Sequence, residues 1–346
     1  MRKKIALITG GTGFIGTYLS KKLLSKGWKV NIVDLKNSRD PIINKKCNFY
    51  KSDLTKINSN HKCFKKVSVI FHLAAIPSIS RKNKKKFLDN NLGGTKNLIL
   101  CAKKNKITKI IYTSSSTVYG IPKKFPLKEE DAGNTIGFYG KSKWLAEKVL
   151  LNSISSKLDV CILRPRVVIG PGRLGIFQVF FKRILQNKNI YLIGSGSNYF
   201  QFTNVNDFVD AIIKAVNLKK SLIVNIGSND KITTYKLIKL LIKKAGSKSK
   251  IIKTPAFLIK FILAVLERFR LSPLTKEQYL IADKNFFLNT KKAKLNLKWK
   301  SRFSTLKTLL DSYDWYRENL NDKNNQTKQF GILTIFKSYQ QSGFQS

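Results

Sequence analysis

A chain of 346 residues with 42% hydrophobic content can bury a sizeable core, which excludes a disordered body and allows one large domain or two intimate ones. Its formal net charge of +47 would suit nucleic acid or a membrane surface, but the excess is mostly lysine spread along the whole length, without zinc spacing or an RNA-binding aromatic signature. We read the charge as a compositional bias on solvated faces, so no specific nucleic-acid partner is expected, although the positive field would still draw anionic substrates.

The opening run, "KIALIT", is short, β-rich and bounded by glycines, and Phe14, Ile15, Leu19, Leu23 and Leu24 continue it as a helical pattern that stops at Gly27. A charged start before an apolar run also resembles a signal peptide. No small-residue cleavage site follows, so the segment reads as mature structure. Between strand and helix, "TGGTGFIG" places Gly10, Gly13 and Gly16 where a dinucleotide needs them. Gly10 allows a tight turn, Gly13 lets the backbone approach a pyrophosphate, Gly16 permits close helix packing, and the helix N-terminus faces the phosphates. The next strand, "WKVNIVD", ends on Asp34, a carboxylate that can accept hydrogen bonds from both ribose hydroxyls and would repel a 2'-phosphate. NAD is therefore the expected cofactor, with NADP the less favoured alternative because Lys36 and Arg39 are near.

Further apolar runs, "CNFYKSD", "VSVIFHLAA", "KIIYTSSS" and "DVCILRP", alternate with helical segments near 86–104 and 139–156. Such alternation predicts an α/β fold with a doubly wound parallel sheet, because parallel strands need crossover helices that cover both faces. The run "RKNKKK" at 81–86 has no interleaved aromatics for base stacking and reads as a solvated helix start. Beyond Pro165 the regularity weakens, which suggests a dinucleotide-binding domain over 1–168, a smaller substrate-binding lobe over 169–320 partly interleaved with it, and a polar tail over 321–346. The most apolar stretch, 255–269, is too short to span a bilayer and is interrupted by Lys260. It reads as a packed helix, with a peripheral membrane contact as the alternative. The four cysteines form no CxxC and only His61 and His72 accompany them, so no metal site is expected, and reduced thiols suit a cytoplasmic protein.

Tyr139 stands four positions before Lys143, but Tyr18, Tyr119 and Tyr235 also have a lysine four places on. Tyr18 falls inside the first helix, Gly120 and Pro122 deny Tyr119 a helical turn, and Tyr235 belongs to a late surface-like helix. Only Tyr139 begins a helix beside a strand end that carries a serine cluster. Its phenol and the Lys143 ammonium would share a helix face. An adjacent ammonium should pull the tyrosine pKa down from about 10 and make it a base.

On these residues the chain resembles the extended short-chain dehydrogenase/reductases, which include nucleotide-sugar epimerases and dehydratases. The resemblance runs from residue 4 to about 318, and its strength lies in the shared order of many short motifs. It implies a Rossmann-type domain with NAD held by Gly10, Gly13, Phe14, Ile15, Gly16 and Asp34, by Asp53 and Leu54 of "SDL", and by Leu73, Ala74 and Ala75 of "FHLAA". Asn91 of "NNLGGTKNLI", Tyr139, Lys143 and Pro165 of "LRP" would complete that set. "YTSSSTVYG" resembles the catalytic serine strand, with Ser115 as the active hydroxyl, and "YGKSK" follows as the family places it. A homodimer through the helices near 86–104 and 139–156 is likewise implied by the resemblance.

Read chemically, a Tyr139 phenolate would remove the proton from a carbinol held by Ser115 while the carbon's hydride passes to the nicotinamide. Lys143 would tune Tyr139 and hold the nicotinamide ribose. Relatives that dehydrate carry an acid pair where this chain has Ser116 and Thr117, which argues against 4,6-dehydration. The arginine that commonly grips a nucleoside diphosphate is replaced by Phe200. Arg164, Arg166 and Arg173 of "LRPRVVIGPGR" could supply charge from another side, with Arg173 favoured and Ser115, Ser116, Arg164 and Phe200 also lining the substrate. The expected activity is epimerisation, or a related redox change, of a nucleotide-activated sugar, with surface polysaccharide as its expected use. A lipid-alcohol dehydrogenase similar to 3β-hydroxysteroid dehydrogenases is one alternative, and a non-catalytic dinucleotide-binding protein another.

Overall fold

The computed structural model describes residues 4–77, 84–269 and 271–320, so the tail expected over 321–346 and part of the 81–86 lysine run lie outside the described residues. Strand β1 (Ile5–Thr9), helix α1 (Phe14–Ser25), β2 (Lys29–Asp34), α2 (Pro41–Lys46) and β3 (Asn48–Lys51) form the first winding. The second holds β4 (Val69–His72), α3 (Lys84–Phe87), a π-helical turn over Leu88–Gly93, α4 (Gly94–Lys104), β5 (Lys109–Thr113), α5 (Phe138–Leu151) and β6 (Asp159–Pro165). Then follow β7 (Val168–Ile169), α6 (Phe177–Leu185), β8 (Ile190–Ile193), β9 (Tyr199–Phe200), β10 (Thr203–Asn204), α7 (Val205–Ala215) and β11 (Leu222–Ile226). The chain continues through β12 (Ile232–Thr233), α8 (Thr234–Lys244), β13 (Ile251–Thr254), α9 (Ala256–Arg268), α10 (Lys276–Tyr279), α11 (Lys291–Leu297) and α12 (Thr305–Glu318).

Seven strands pair in the order β11, β6, β5, β4, β1, β2, β3, all parallel. This is the doubly wound sheet that the alternating runs predict. Apolar residues all along the inner strands are buried because helices cover both faces. On one face Leu19 and Leu23 of α1 meet Phe208 and Ile212 of α7, and on the other Leu98 and Ala102 of α4 meet Ala146 and Leu150 of α5. Each such leucine contributes about 1.5–3 kcal/mol by leaving water. The strand order reverses between β1 and β4, so a crevice opens beyond their carboxyl ends, where ligands of such sheets bind. A separate core of Phe181, Phe202, Leu237, Leu241, Leu309 and Tyr313 builds the second lobe. Sequence order and lobes do not coincide: α7 and β11 lie beyond residue 168 yet pack on and extend the central sheet.

Helix α9 departs from the expectation of a packed helix. Only Leu263 is buried, while Phe257, Phe261 and Phe269 are 78%, 67% and 66% exposed. Leu258, Ile262 and Val265 are exposed with them, so the spacing puts one apolar stripe outward. The inner edge is tied down by the Lys260–Asp283 ion pair at 2.5 Å. Among the described residues no helix is long and apolar enough to cross a membrane.

Candidate active site

The glycine turn between β1 and α1 lies at the reversal of strand order. Gly10 has φ +73°, and a Cβ there would sit 2.8 Å from the Ala74 backbone, so only glycine lets the turn meet the loop after β4. Asp34 ends β2 beside this turn, accepting from Thr12 N at 3.1 Å and Thr12 Oγ1 at 2.7 Å. A carboxylate held at that rim fits a ribose diol and repels a 2'-phosphate. Leu73 N donates to Thr9 O at 3.1 Å, which fixes the start of the "LAA" loop, while Ala75 is exposed. Ile15 and Leu73 pack partly onto the core, and Phe14 stacks edge-on against Tyr18 at 5.4 Å. Asp53 Oδ1 accepts from Thr55 N and Oγ1, Leu54 O accepts from Asn97, and Pro165 pairs in register with Ile226 of β11.

Asn91 is buried and hydrogen-bonded within the fold. Its amide oxygen accepts from Ile76 N at 2.7 Å, and its two hydrogens go to Ile76 O at 3.3 Å and Ser142 Oγ at 2.9 Å. With both donors used, this side chain ties the loop after β4 to helix α5. His72 packs at the end of β4: it is 1% exposed, between Thr9 Oγ1 and Thr95 Oγ1 at 2.8 Å each. Burial pushes its pKa down to about 3.

Ser115 and Tyr139 are brought together. Ser115 caps a 3-10 turn over Ser116–Tyr119, and its Oγ accepts from Thr117 N at 3.2 Å and Thr117 Oγ1 at 3.0 Å. Both lone pairs are then engaged, so the serine proton is free to be donated, and Tyr139 is its hydrogen-bonding neighbour. Helix α5 reaches this turn because a Cβ on Gly140 would lie 2.7 Å from Thr117 O, which accounts for glycine after Tyr139.

The electrostatics differ from the sequence expectation. Burial pushes the Tyr139 phenol up to about 12; Arg173 pulls it down, Glu277 pushes it further up, and the Ser115 hydrogen bond opposes the rise. Lys143 lies deep in the fold. That lysine is 2% exposed, its Nζ lies 4.2 Å from the centre of the Tyr112 ring, and burial pulls its pKa down to about 7. Four residues of helix put Lys143 one turn beyond Tyr139, and its depth lowers the share of it that is charged at neutral pH. The cation beside Tyr139 is Arg173, whose loop bends through Gly170 N to Arg173 O at 3.2 Å and packs by Gly172 against Phe14. Arg173 therefore stands between the dinucleotide turn and the reacting phenol.

Arg164 is corrected as a substrate contact. It is 1% exposed, with Nε 3.0 Å and Nη2 2.6 Å from Glu147 and Nη1 on Tyr119 and the Glu129 carbonyl. Burial pushes its pKa down, but the Glu147 carboxylate more than offsets this and holds it above the ordinary value. Its fork is spent on holding α5 to β6. Ser116 is 3% exposed with Oγ 3.5 Å from Arg166 Nη1, and Phe200 joins Phe177 and Phe202 in an aromatic cluster.

Sequence reasoning missed Glu277 of α10. Gly140 N donates to its Oε1 at 3.0 Å and Gly137 N also bonds it, so a carboxylate from the second lobe caps the helix that begins at Phe138. Burial pushes Glu277 above the usual carboxylate range. Nothing in "LTKEQ" signals this, because its partner lies 137 residues away. Among the described residues no cluster of His, Cys, Asp and Glu could hold a metal.

Residues 6–227 match the model of the NAD dependent epimerase/dehydratase family. The chain is 32% identical over 73% of its length to a UDP-N-acetyl-alpha-D-glucosaminuronate decarboxylase of Bacillus cytotoxicus, covering 84% of that protein. It is 29% identical over 62% of its length to the decarboxylating sterol-4-alpha-carboxylate 3-dehydrogenase of Bos taurus, of which it spans 60%. Among solved structures, a UDP-glucose 4-epimerase of Thermotoga maritima with UDP-glucose superposes with a TM-score of 0.77 at 25% identity, over 92% of this chain and 100% of that one. With its parallel sheet, glycine turn and serine–tyrosine pair, the chain belongs to the NAD-dependent epimerase/dehydratase family, within the extended short-chain dehydrogenase/reductases.

Proposed function

We propose that this protein is an NAD-dependent enzyme that changes the redox state of a carbinol on a nucleotide-activated sugar, either as an epimerase or as a net dehydrogenase. The observation that carries the reading is the Ser115–Tyr139 hydrogen bond beside the strand-order reversal, in which the serine proton is the one group Thr117 leaves unengaged. Ser115 orients the carbinol, Tyr139 takes its proton, and Arg173 stabilises the phenolate against the cost of burial. A dinucleotide fits the chain's own groups: Gly10 leaves backbone room, Asp34 meets the ribose rim, and Lys143, half-charged near neutral pH, is placed for the nicotinamide ribose. When bound, the nicotinamide supplies the hydride acceptor. The absence of carboxylates at Ser116 and Thr117 supports redox chemistry without 4,6-dehydration.

Assay of the full chain with NAD and UDP-sugars tests this. Turnover should fall by roughly 10³-fold in Tyr139→Phe, within the usual range for a lost general base. Undiminished turnover by that variant would sink the assignment. Stoichiometric NADH release would select the dehydrogenase over the epimerase.

A second reading, a dehydrogenase of lipid alcohols, is favoured by one observation: the outward phenylalanines of α9. It predicts NADH formation from a sterol 3-alcohol dispersed in vesicles, with UDP-sugars inert.

A further inference from the structure

The arginine that follows Pro165 is not used by anything described so far. Arg166 is 5% exposed, and its Nε has no hydrogen-bond partner. Its guanidinium lies 4.0 Å from the centre of the Phe286 ring and 5.2 Å from that of Phe200. Nη1 approaches Ser116 Oγ at 3.5 Å, the outer limit of a hydrogen bond. Among the described residues no carboxylate pairs with it. Glu147 is spent on Arg164, Glu129 accepts from Asn225 N, and Glu277 receives the amides that open α5. Burial alone acts on its pKa and pushes it down to about 9, so it remains a cation at neutral pH.

A buried cation without a counter-ion destabilises a fold, and proteins place charges there with a partner or a use. Two aromatic rings stabilise Arg166, but they leave Nε unmet. Its side-chain hydrogen-bonding neighbour, Ser116, adjoins Ser115, the hydroxyl proposed above to hold the reacting carbinol. An anion bound here therefore sits on the ring that reacts and not at the far end of the substrate.

We propose that Arg166 is the receptor for a carboxylate carried by the substrate close to its reacting carbinol, so that the enzyme acts on an acid, such as a uronate sugar. The inference rests on the function proposed above and deepens it. A planar carboxylate can take two parallel hydrogen bonds from the guanidinium fork, as Arg164 already gives to Glu147, and Ser116 Oγ lies near enough to contribute a third. A neutral hydroxymethyl group leaves the buried cation unpaired, and this asymmetry is what produces strong discrimination.

UDP-glucuronic acid and UDP-glucose form a test pair that differs in that one group. Binding to the NAD-loaded full chain is measured by calorimetry, and turnover is measured separately. Wild-type protein should prefer the acid by roughly 100-fold, and Arg166→Met should lose that preference while holding the neutral sugar within about threefold. Equal binding of the two, binding of neither, or an equal loss of both in the variant overturns the proposal. A thermal melt separates a binding role from a structural one. Removing an unpaired buried cation should leave Tm unchanged or raise it, and a fall of more than about 5 °C would assign Arg166 to the architecture instead. Selective binding of the acid without turnover of either sugar would keep this site and discard the Tyr139 chemistry.

Discussion

Arg164 and Arg166 stand two residues apart at the end of the same strand and live in opposite circumstances. The first has a carboxylate across from it and all three nitrogens hydrogen-bonded; the second lies beside two aromatic rings with Nε unmet. Both are buried, so burial does not distinguish a structural charge from a functional one. What distinguishes them is whether the fold supplies the counter-charge. One arginine closes the account of the interior at α5 and β6, and the other leaves it open toward the substrate.

Several substitutions test that division. The largest effect belongs to the catalytic side, where Tyr139→Phe removes about 4 kcal/mol of transition-state stabilisation with little change in Tm. On the structural side, Arg164→Met strands Glu147 in the interior and should cost about 3–5 kcal/mol in urea unfolding. Pairing it with Glu147→Leu should recover much of that loss, and failure to recover would mean that the ion pair does more than neutralise itself.

His72 sharpens the contrast between interior groups with and without charge. Its native pKa, near 3, lies below the unfolded value of about 6.5, so the unfolded chain binds a proton that the native state refuses. Stability should therefore be lost as pH falls through about 6.5, by about 3 kcal/mol at pH 4. A flatter stability–pH profile in His72→Gln would check the assignment. The smallest effect is expected at Glu277→Gln, which keeps an acceptor for Gly140 N but removes a charge that raises Tyr139. The ionisation of Tyr139 seen in the pH–rate profile should move down by roughly one unit, with kcat at high pH little changed.

The sheet, the glycine turn and the serine–tyrosine pair were legible because each is written in short local patterns. "TGGTGFIG" between a strand and a helix, and a tyrosine opening a helix after a serine cluster, need no distant partner to be recognised. Spacing could not report depth. It put Lys143 on the correct face but could not foresee that burial would remove part of its charge and leave Arg173 as the cation acting on Tyr139. Nor could it separate Arg164 from Arg166, because Glu147 reaches one of them only when α5 packs on the sheet. In α9 the hydrophobicity was plain, but not that the helix would turn its phenylalanines outward.

The cap that Glu277 places on Gly137 and Gly140 has a mechanical consequence. The acceptor that anchors the first turn of the helix bearing Tyr139 comes from α10, 137 residues further along the chain. Any hinge motion that widened the mouth enough to withdraw α10 would loosen the phenol in the same stroke. One contact thus ties the position of α10 to the position of the phenol.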